Sequence, residues 1–151
     1  MSDRDSWETP QVLFDWLDRQ YKFYFDVAAT KENTKTPLFN YWKSSLEIPW
    51  LCGNVFCNPP YSNIMPWLIK GRQEVYIGNC ETAVYVLPQD LSTKWGKFCA
   101  EHASKIIFLV GGRVQFVAPE GVKSSSNTKG TMIVEFNSGK NPLVTEYVDI
   151  K

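Results

Sequence analysis

A single histidine in 151 residues leaves little scope for the commonest acid–base and metal chemistry. That residue, His102, follows Trp95, Phe98 and Cys99 at i, i+3, i+4 and i+7, the spacing of one helix face. It reads as a helix-face residue, and a Ser–His–Asp set would have to use it. The four cysteines (Cys52, Cys57, Cys80 and Cys99) lack the paired spacing of a metal site. Without a secretion signal they also argue against a disulfide framework. No metal is expected. Sixteen basic and sixteen acidic residues cancel, so the molecule as a whole carries no electrostatic sign of a polyanionic partner. Apolar runs such as Ile106–Val110 fall far short of the roughly 20 residues that cross a bilayer. The opening "MSDRDSWETP" is polar and acidic, with no apolar signal core. A cytoplasmic protein, not bound to membrane, is expected.

What is present suits a globular domain. Hydrophobic residues make up 44% and charged residues 21%, in a chain long enough to bury one core, so a single domain over 1–151 is expected. There is no internal repeat. Thr9 as N-cap and Pro10 at the first helical position would open a helix with Val12, Leu13, Trp16 and Leu17 on one face. "FYFDV" (Phe23–Val27) reads as a strand, Thr30–Pro49 as mostly loop, and "NVFC" (Asn54–Cys57) as the next strand. Ser62 or Asn63 would cap a helix through Trp67, Leu68 and Val75, and Ser92 one through Trp95 and Cys99. "TAVYVL" and "KIIFLV" have the near-continuous apolar character of buried parallel strands. "VQFV", "TMIVEF" and "LVTEYV" suggest three terminal strands, at least two of them antiparallel. The alternation predicts an α/β fold of three layers with a mostly parallel sheet and antiparallel C-terminal strands. Ligands of such sheets bind beyond the carboxyl ends of the strands, where Asp26 and Asn58 fall.

The stretch "VFCNPPYSN" ends a strand abruptly, because neither Pro59 nor Pro60 has an N–H to donate to a sheet. Pro59 also keeps Asn58 out of the helical region. A stiff, extended turn results, and an ordinary strand-terminating loop explains it as well as chemistry does. The chemistry it suits is attack by a planar exocyclic amine on a methyl group. The Asn58 side chain and the Pro59 carbonyl can accept the two amine hydrogens and draw the nitrogen toward tetrahedral geometry, a preorganised dipole arrangement. Tyr61 can stack on the ring, a contact worth roughly 1–3 kcal/mol per base.

"NPPY" after an apolar strand resembles the catalytic motif of amino-group methyltransferases that use S-adenosylmethionine. The ordered blocks "DSWETPQVLFDWLDRQYKFYFDVAAT", "VFCNPPYSNIMPWLIK", "VYVLPQDLSTKWGKF", "GGRVQF" and "GTMIVEF" resemble more narrowly the phage-type DNA N6-adenine methyltransferases of the Dam family, over roughly Asp5 to Phe136. The resemblance implies a reduced Rossmann-like methyltransferase fold, S-adenosylmethionine as cofactor and double-stranded DNA as partner. It also implies a catalytic set of Asn58, Pro59, Pro60 and Tyr61, with Thr9, Pro10, Asp26 and Ala28 at the cofactor. A carboxylate at Asp26 suits a cofactor ammonium, although a strand-end aspartate or a plain helix cap explains Asp26, Thr9 and Pro10 too. Protection of phage DNA from host restriction, in the bacterial cytoplasm, is the biological role the family suggests.

This chain also departs from the family. Ala28 and Ala29 stand where the first cofactor block usually carries a glycine-rich "GxG". Only 26 residues separate Val27 from Asn54, too few for two further strand–helix units. No acid obviously ends a second strand to hold the ribose, and Glu32 or Asn33 are the candidates to replace it. No space remains for a separate target-recognition domain. Base extraction and phosphate tracking would fall to the loop Gln89–Lys94, to Arg113, and to Lys123 and Lys129. The segment Leu87–Thr131 has six basic residues against three acidic, a surplus of three that a solvated face explains equally well. Short or relaxed sequence specificity is the expectation, and sequencing that found methylation confined to one long motif would overturn it. Two rival readings stand beside this one. The first is methylation of a protein glutamine or an RNA base, since enzymes of both kinds share the tetrapeptide. The second is a nucleic-acid-binding module on a methyltransferase fold without turnover.

Overall fold

Along the central strands, alternate side chains enter two different cores. Val55, Cys57, Ala83, Tyr85 and Leu87 belong to one, and Phe56, Val84 and Val86 to the other. This is the period of two expected of a sheet covered on both faces. The computed structural model describes residues 8–29, 33–36, 38–41, 45–51, 53–114, 116–117, 129–139 and 142–151. Its strands are β1 (Phe23–Ala29), β2 (Leu38–Tyr41), β3 (Asn54–Cys57), β4 (Thr82–Pro88), β5 (Lys105–Leu109), β6 (Thr131–Asn137) and β7 (Val144–Val148). They form one sheet in the order β2-β1-β3-β4-β6-β5-β7. Helix α1 (Gln11–Tyr21) covers one face through Leu13, Phe14 and Leu17. Helices α2 (Met65–Tyr76) and α3 (Lys94–His102) cover the other through Trp67, Leu68, Val75 and Cys99. The expected three-layer α/β architecture with a mostly parallel sheet is therefore present.

Several local expectations need correction. Pro10, not Thr9, is the N-cap of α1, with φ −58° and ψ 140°, and no side chain caps the helix. Ile64 occupies the N-cap of α2 with no side-chain cap, and Pro66 in the first turn sets the start in place of Ser62 or Asn63. Thr93, one residue beyond Ser92, caps α3 by accepting from the Gly96 N–H at 2.9 Å. The region read as loop contains β2, parallel to β1 at the sheet edge. Among its described residues, "VQFV" contributes a bridge between Val117 and Glu8 and no strand. Of the terminal strands only β6 opposes its neighbours β4 and β5, while β7 pairs parallel to β5. Both edges of β6 are occupied, so the returning chain must pass to the free edge of β5. His102 lies exposed on α3, 4.6 Å from the Phe98 ring.

At the amino ends of the strands half-buried polar groups close on one another around the buried Glu135. The Tyr21 hydroxyl donates to Glu135 at 2.5 Å, and the Asn137 amide donates to the other oxygen of that carboxylate, also at 2.5 Å. Thr82 donates to the Asn54 side chain at 2.6 Å, and Asn54 in turn donates to the Tyr21 carbonyl. Burial, with Glu135 beside it, pushes the Tyr21 phenol far above its ordinary value. Cys57, Cys80 and Cys99 are buried, and among the described residues no helix is long and apolar enough to cross a membrane. Cys52 lies outside the described residues.

Candidate functional site

The parallel strands β1, β3 and β4 end at the same rim of the sheet. The alternation that sends Phe25 and Val27 into the core under α2 turns Asp26 toward the α1 face, where Phe56 is its register partner on β3. A narrow cleft opens there, lined by Glu8, Thr9, Asp26, Ala28, Asn33, Lys35, Phe56 and Asn58. The structure thus gathers five of the expected residues (Thr9, Asp26, Ala28, Asn33 and Asn58) in one place. Pro10 lies apart, in a neighbouring apolar groove of about 280 Å³ beside Val12, Leu109 and Arg113. Glu32 lies outside the described residues.

Asp26 is only 3% exposed, and its Oδ2 accepts the Lys35 backbone N–H at 2.9 Å. Burial pushes its carboxyl up to about 7, against the opposing pull of the Lys35 and Ala28 N–H groups and the Lys35 charge. The Lys35 ammonium is itself almost covered, 2.5 Å from Glu8 Oε1 and 3.2 Å from Gln11 Oε1. Thr9 is 2% exposed and its hydroxyl has no hydrogen-bond partner. A buried hydroxyl left unpaired costs about 1–3 kcal/mol, which a ligand accepting or donating there would recover. An unpartnered hydroxyl in the same cleft as a buried acid suits the cationic amino-acid end of S-adenosylmethionine.

Glu8 and Lys35 escaped the sequence reading. The only signal for Lys35 was its place two residues beyond Asn33, and nothing in the sequence showed its N–H reaching back nine residues to Asp26. Glu8 is held by paired 2.8 Å backbone bonds with Val117, which bring the segment after the Gly111–Gly112 turn across the start of α1. Gly111 has φ 84°, and a Cβ there would press on the Asp149 carboxylate, so the turn requires glycine.

Pro59 and Pro60 are buried at the end of β3, and Asn58 is half-buried. The Tyr61 hydroxyl donates to the Val86 carbonyl at 3.1 Å, and its ring meets Phe116 edge to face at 6.1 Å. The ring direction is therefore fixed from β4 and from the crossing segment. Of the basic residues expected at DNA, Lys94, Arg113 and Lys129 are exposed at this same rim, after β4, after β5 and before β6. Lys129 pairs with Asp90 at 3.0 Å, so its charge is partly neutralised. Lys123 lies outside the described residues. No group of three or more histidine, cysteine, aspartate or glutamate residues that could hold a metal occurs among the described residues.

The raised Asp26 carboxyl has a measurable consequence. The protonated form is favoured in the folded state, so this contribution to stability is complete below about pH 4 and declines as pH rises toward 7. The slope reaches at most about 1.4 kcal/mol per pH unit. An incoming cation favours the ionised form, so if Asp26 holds the cofactor ammonium, affinity should rise with pH up to about 7. It should fall again as an α-ammonium deprotonates near 8. Calorimetric titration across pH 5.5–9 checks this. Asp26→Asn should remove the acidic limb, and an unchanged limb would reject the assignment.

Comparisons with known proteins converge on one family. A sequence-family model described as DNA N-6-adenine-methyltransferase (Dam) matches residues 1–149. A DNA N-6-adenine-methyltransferase of Haemophilus phage HP1 (strain HP1c1) is 32% identical over 139 residues, covering 89% of this chain and 80% of the phage protein.

Proposed function

Because this chain belongs to the Dam family of DNA N6-adenine methyltransferases and uses S-adenosylmethionine, we propose that Asn58 and Pro59 form its amine-acceptor site and that duplex DNA is its substrate. When bound, S-adenosylmethionine supplies a methyl group made electrophilic by its sulfonium. The residues of the chain do the rest. The observation that carries this reading is that Asn58 lines the same cleft as Asp26 and the unpartnered Thr9 hydroxyl. Amine acceptor and cofactor subsite then adjoin, as transfer between them requires.

In this reading the Asn58 side-chain oxygen and the Pro59 carbonyl each accept one N6 hydrogen. The lone pair of the amine is thereby withdrawn from the ring and directed at the methyl group. The two prolines hold the acceptors in place before the base arrives, so little reorganisation accompanies the reaction. Tyr61, tied to Val86, supplies an aromatic wall for a base taken out of the stack. Asp26 and Thr9 hold the amino-acid end of the cofactor, and Asn33 serves the adenosine end. Lys94 and Arg113, exposed at the rim, track phosphates, with Lys129 contributing once released from Asp90.

The test uses radiolabelled S-adenosylmethionine with unmethylated duplex and single-stranded DNA, followed by nucleoside analysis. Label in N6-methyladenine from duplex, lost in Asn58→Ala, is the expected result. Label that persists in the variant would put the amine site elsewhere. Transfer confined to single strands would reject the duplex.

A further inference from the structure

The cleft contains two acids, Glu8 and Asp26, and among its described lining residues a single cation, Lys35. The amino-acid end of S-adenosylmethionine brings an α-ammonium, an α-carboxylate and a nearby sulfonium. Two protein carboxylates match the two positive centres. The ligand carboxylate, placed between Glu8 and Asp26, would be repelled unless a cation met it. A glycine-rich loop could have met it with backbone N–H groups, but Ala28 and Ala29 follow Asp26 in this chain.

We propose that Lys35 is the counter-ion of the cofactor α-carboxylate, and that Glu8 occupies its ammonium until the cofactor arrives. Three observations support this. Glu8 Oε1 at 2.5 Å from Lys35 Nζ demonstrates a seat for a carboxylate on this ammonium inside the cleft. The Lys35 backbone N–H binds Asp26, so the ammonium-binding and carboxylate-binding groups are tied together through one residue. The Lys35–Glu8 pair lines the cleft itself, whose free volume with the pair in place is about 10 Å³. The exchange is one charge-assisted contact for another. Glu8, released from Lys35, then faces the positive end of the ligand.

The proposal rests on the cofactor cleft assigned above and is tested without DNA or methyl transfer. Calorimetry would compare the affinity of S-adenosylmethionine with that of its decarboxylated analogue, in which only the α-carboxylate is missing. The wild-type chain should prefer the carboxylated ligand by about 10- to 100-fold, the range of a charge-assisted hydrogen bond. Lys35→Met should lower that preference to near one by weakening S-adenosylmethionine alone, and Lys35→Arg should keep most of it. A purely structural Lys35 would weaken both ligands equally, which overturns the proposal, as does a wild-type preference near one. Glu8→Gln reads the same question if Lys35→Met fails to fold. It removes the competing carboxylate, so the preference should hold or rise, and a fall overturns the proposal. Loss of binding in Asp26→Asn, with an unchanged preference in Lys35→Met, would reject Lys35 and keep the cleft. Binding insensitive to both would reject both.

Discussion

Asn58→Ala should slow methyl transfer in a single turnover by about 10²–10³-fold, the scale seen when one preorganised polar group is removed from a developing charge. Cofactor affinity should change far less, because Asp26, Thr9 and Lys35 remain in the cleft. The split matters more than the size. An alanine at this position leaves the Pro59 carbonyl in place, so one amine hydrogen keeps its acceptor and the other does not. Asn58→Asp still presents an oxygen there and should retain much more activity than alanine. Stopped-flow or quench measurements at saturating cofactor and DNA separate these effects from binding. Equal rates for wild type and Asn58→Ala, or a defect wholly in cofactor affinity, would remove Asn58 from the reaction.

A second large effect lies far from the reaction, at Gly71 in the middle of α2. In an exposed helix, alanine for glycine gains about 1 kcal/mol. Here a Cβ would stand 2.9 Å from Tyr85 Cζ and 3.1 Å from Trp50 Cζ3, closer still to the Tyr85 hydroxyl. Tyr85 and Trp50 are fully buried, and the Tyr85 hydroxyl is committed to the Trp67 carbonyl at 2.6 Å. Trp50 is fastened through its backbone N–H to Glu74 at 2.5 Å and through its indole N–H to the Ser45 carbonyl at 2.9 Å. Neither ring has an easy retreat, so overpacking outweighs propensity, and Gly71→Ala should cost about 2–3 kcal/mol or more. Urea unfolding measures it. Tyr85→Phe removes the nearest atom at the cost of about 1 kcal/mol for its hydrogen bond. The double variant should therefore lose less than the sum of the two singles. A Gly71→Ala chain as stable as wild type would show that the α2–sheet contact yields readily.

The contrast between what was legible and what was not follows from the range of each signal. β3 was read to the residue, because an apolar run ending at two prolines leaves no other boundary. β4, β5 and β6 were read to within a residue for similar reasons, since continuous apolar character marks strands covered on both faces. β2 was missed because four residues set among lysine, asparagine, threonine and proline give no periodicity to detect. Thr9 was expected to cap α1 because capping residues are recognised by type. The extended backbone of Pro10 places it one position too far out, and its hydroxyl faces the cleft instead. The parallel course of β7 depends on which sheet edges remain open, and that is a property of the whole topology. Asn58 stands out in the sequence through its Pro-Pro turn and Asp26 through the family resemblance, and both fall at carboxyl ends of strands, where ligands of such sheets bind. Lys35 and Glu8 act through contacts that only the folded chain creates.

The two rims of the sheet differ in kind. At one, Tyr21, Glu135, Asn137, Asn54 and Thr82 satisfy each other. At the other, a hydroxyl waits unpaired and an acid sits off its ordinary ionisation. Evolvability follows from that division. Changes at the open rim should act on binding, with little reach into the network at the closed one. Changes at the closed rim should act first on how firmly the scaffold holds. Directed evolution of this chain for a new target should therefore begin at the open rim.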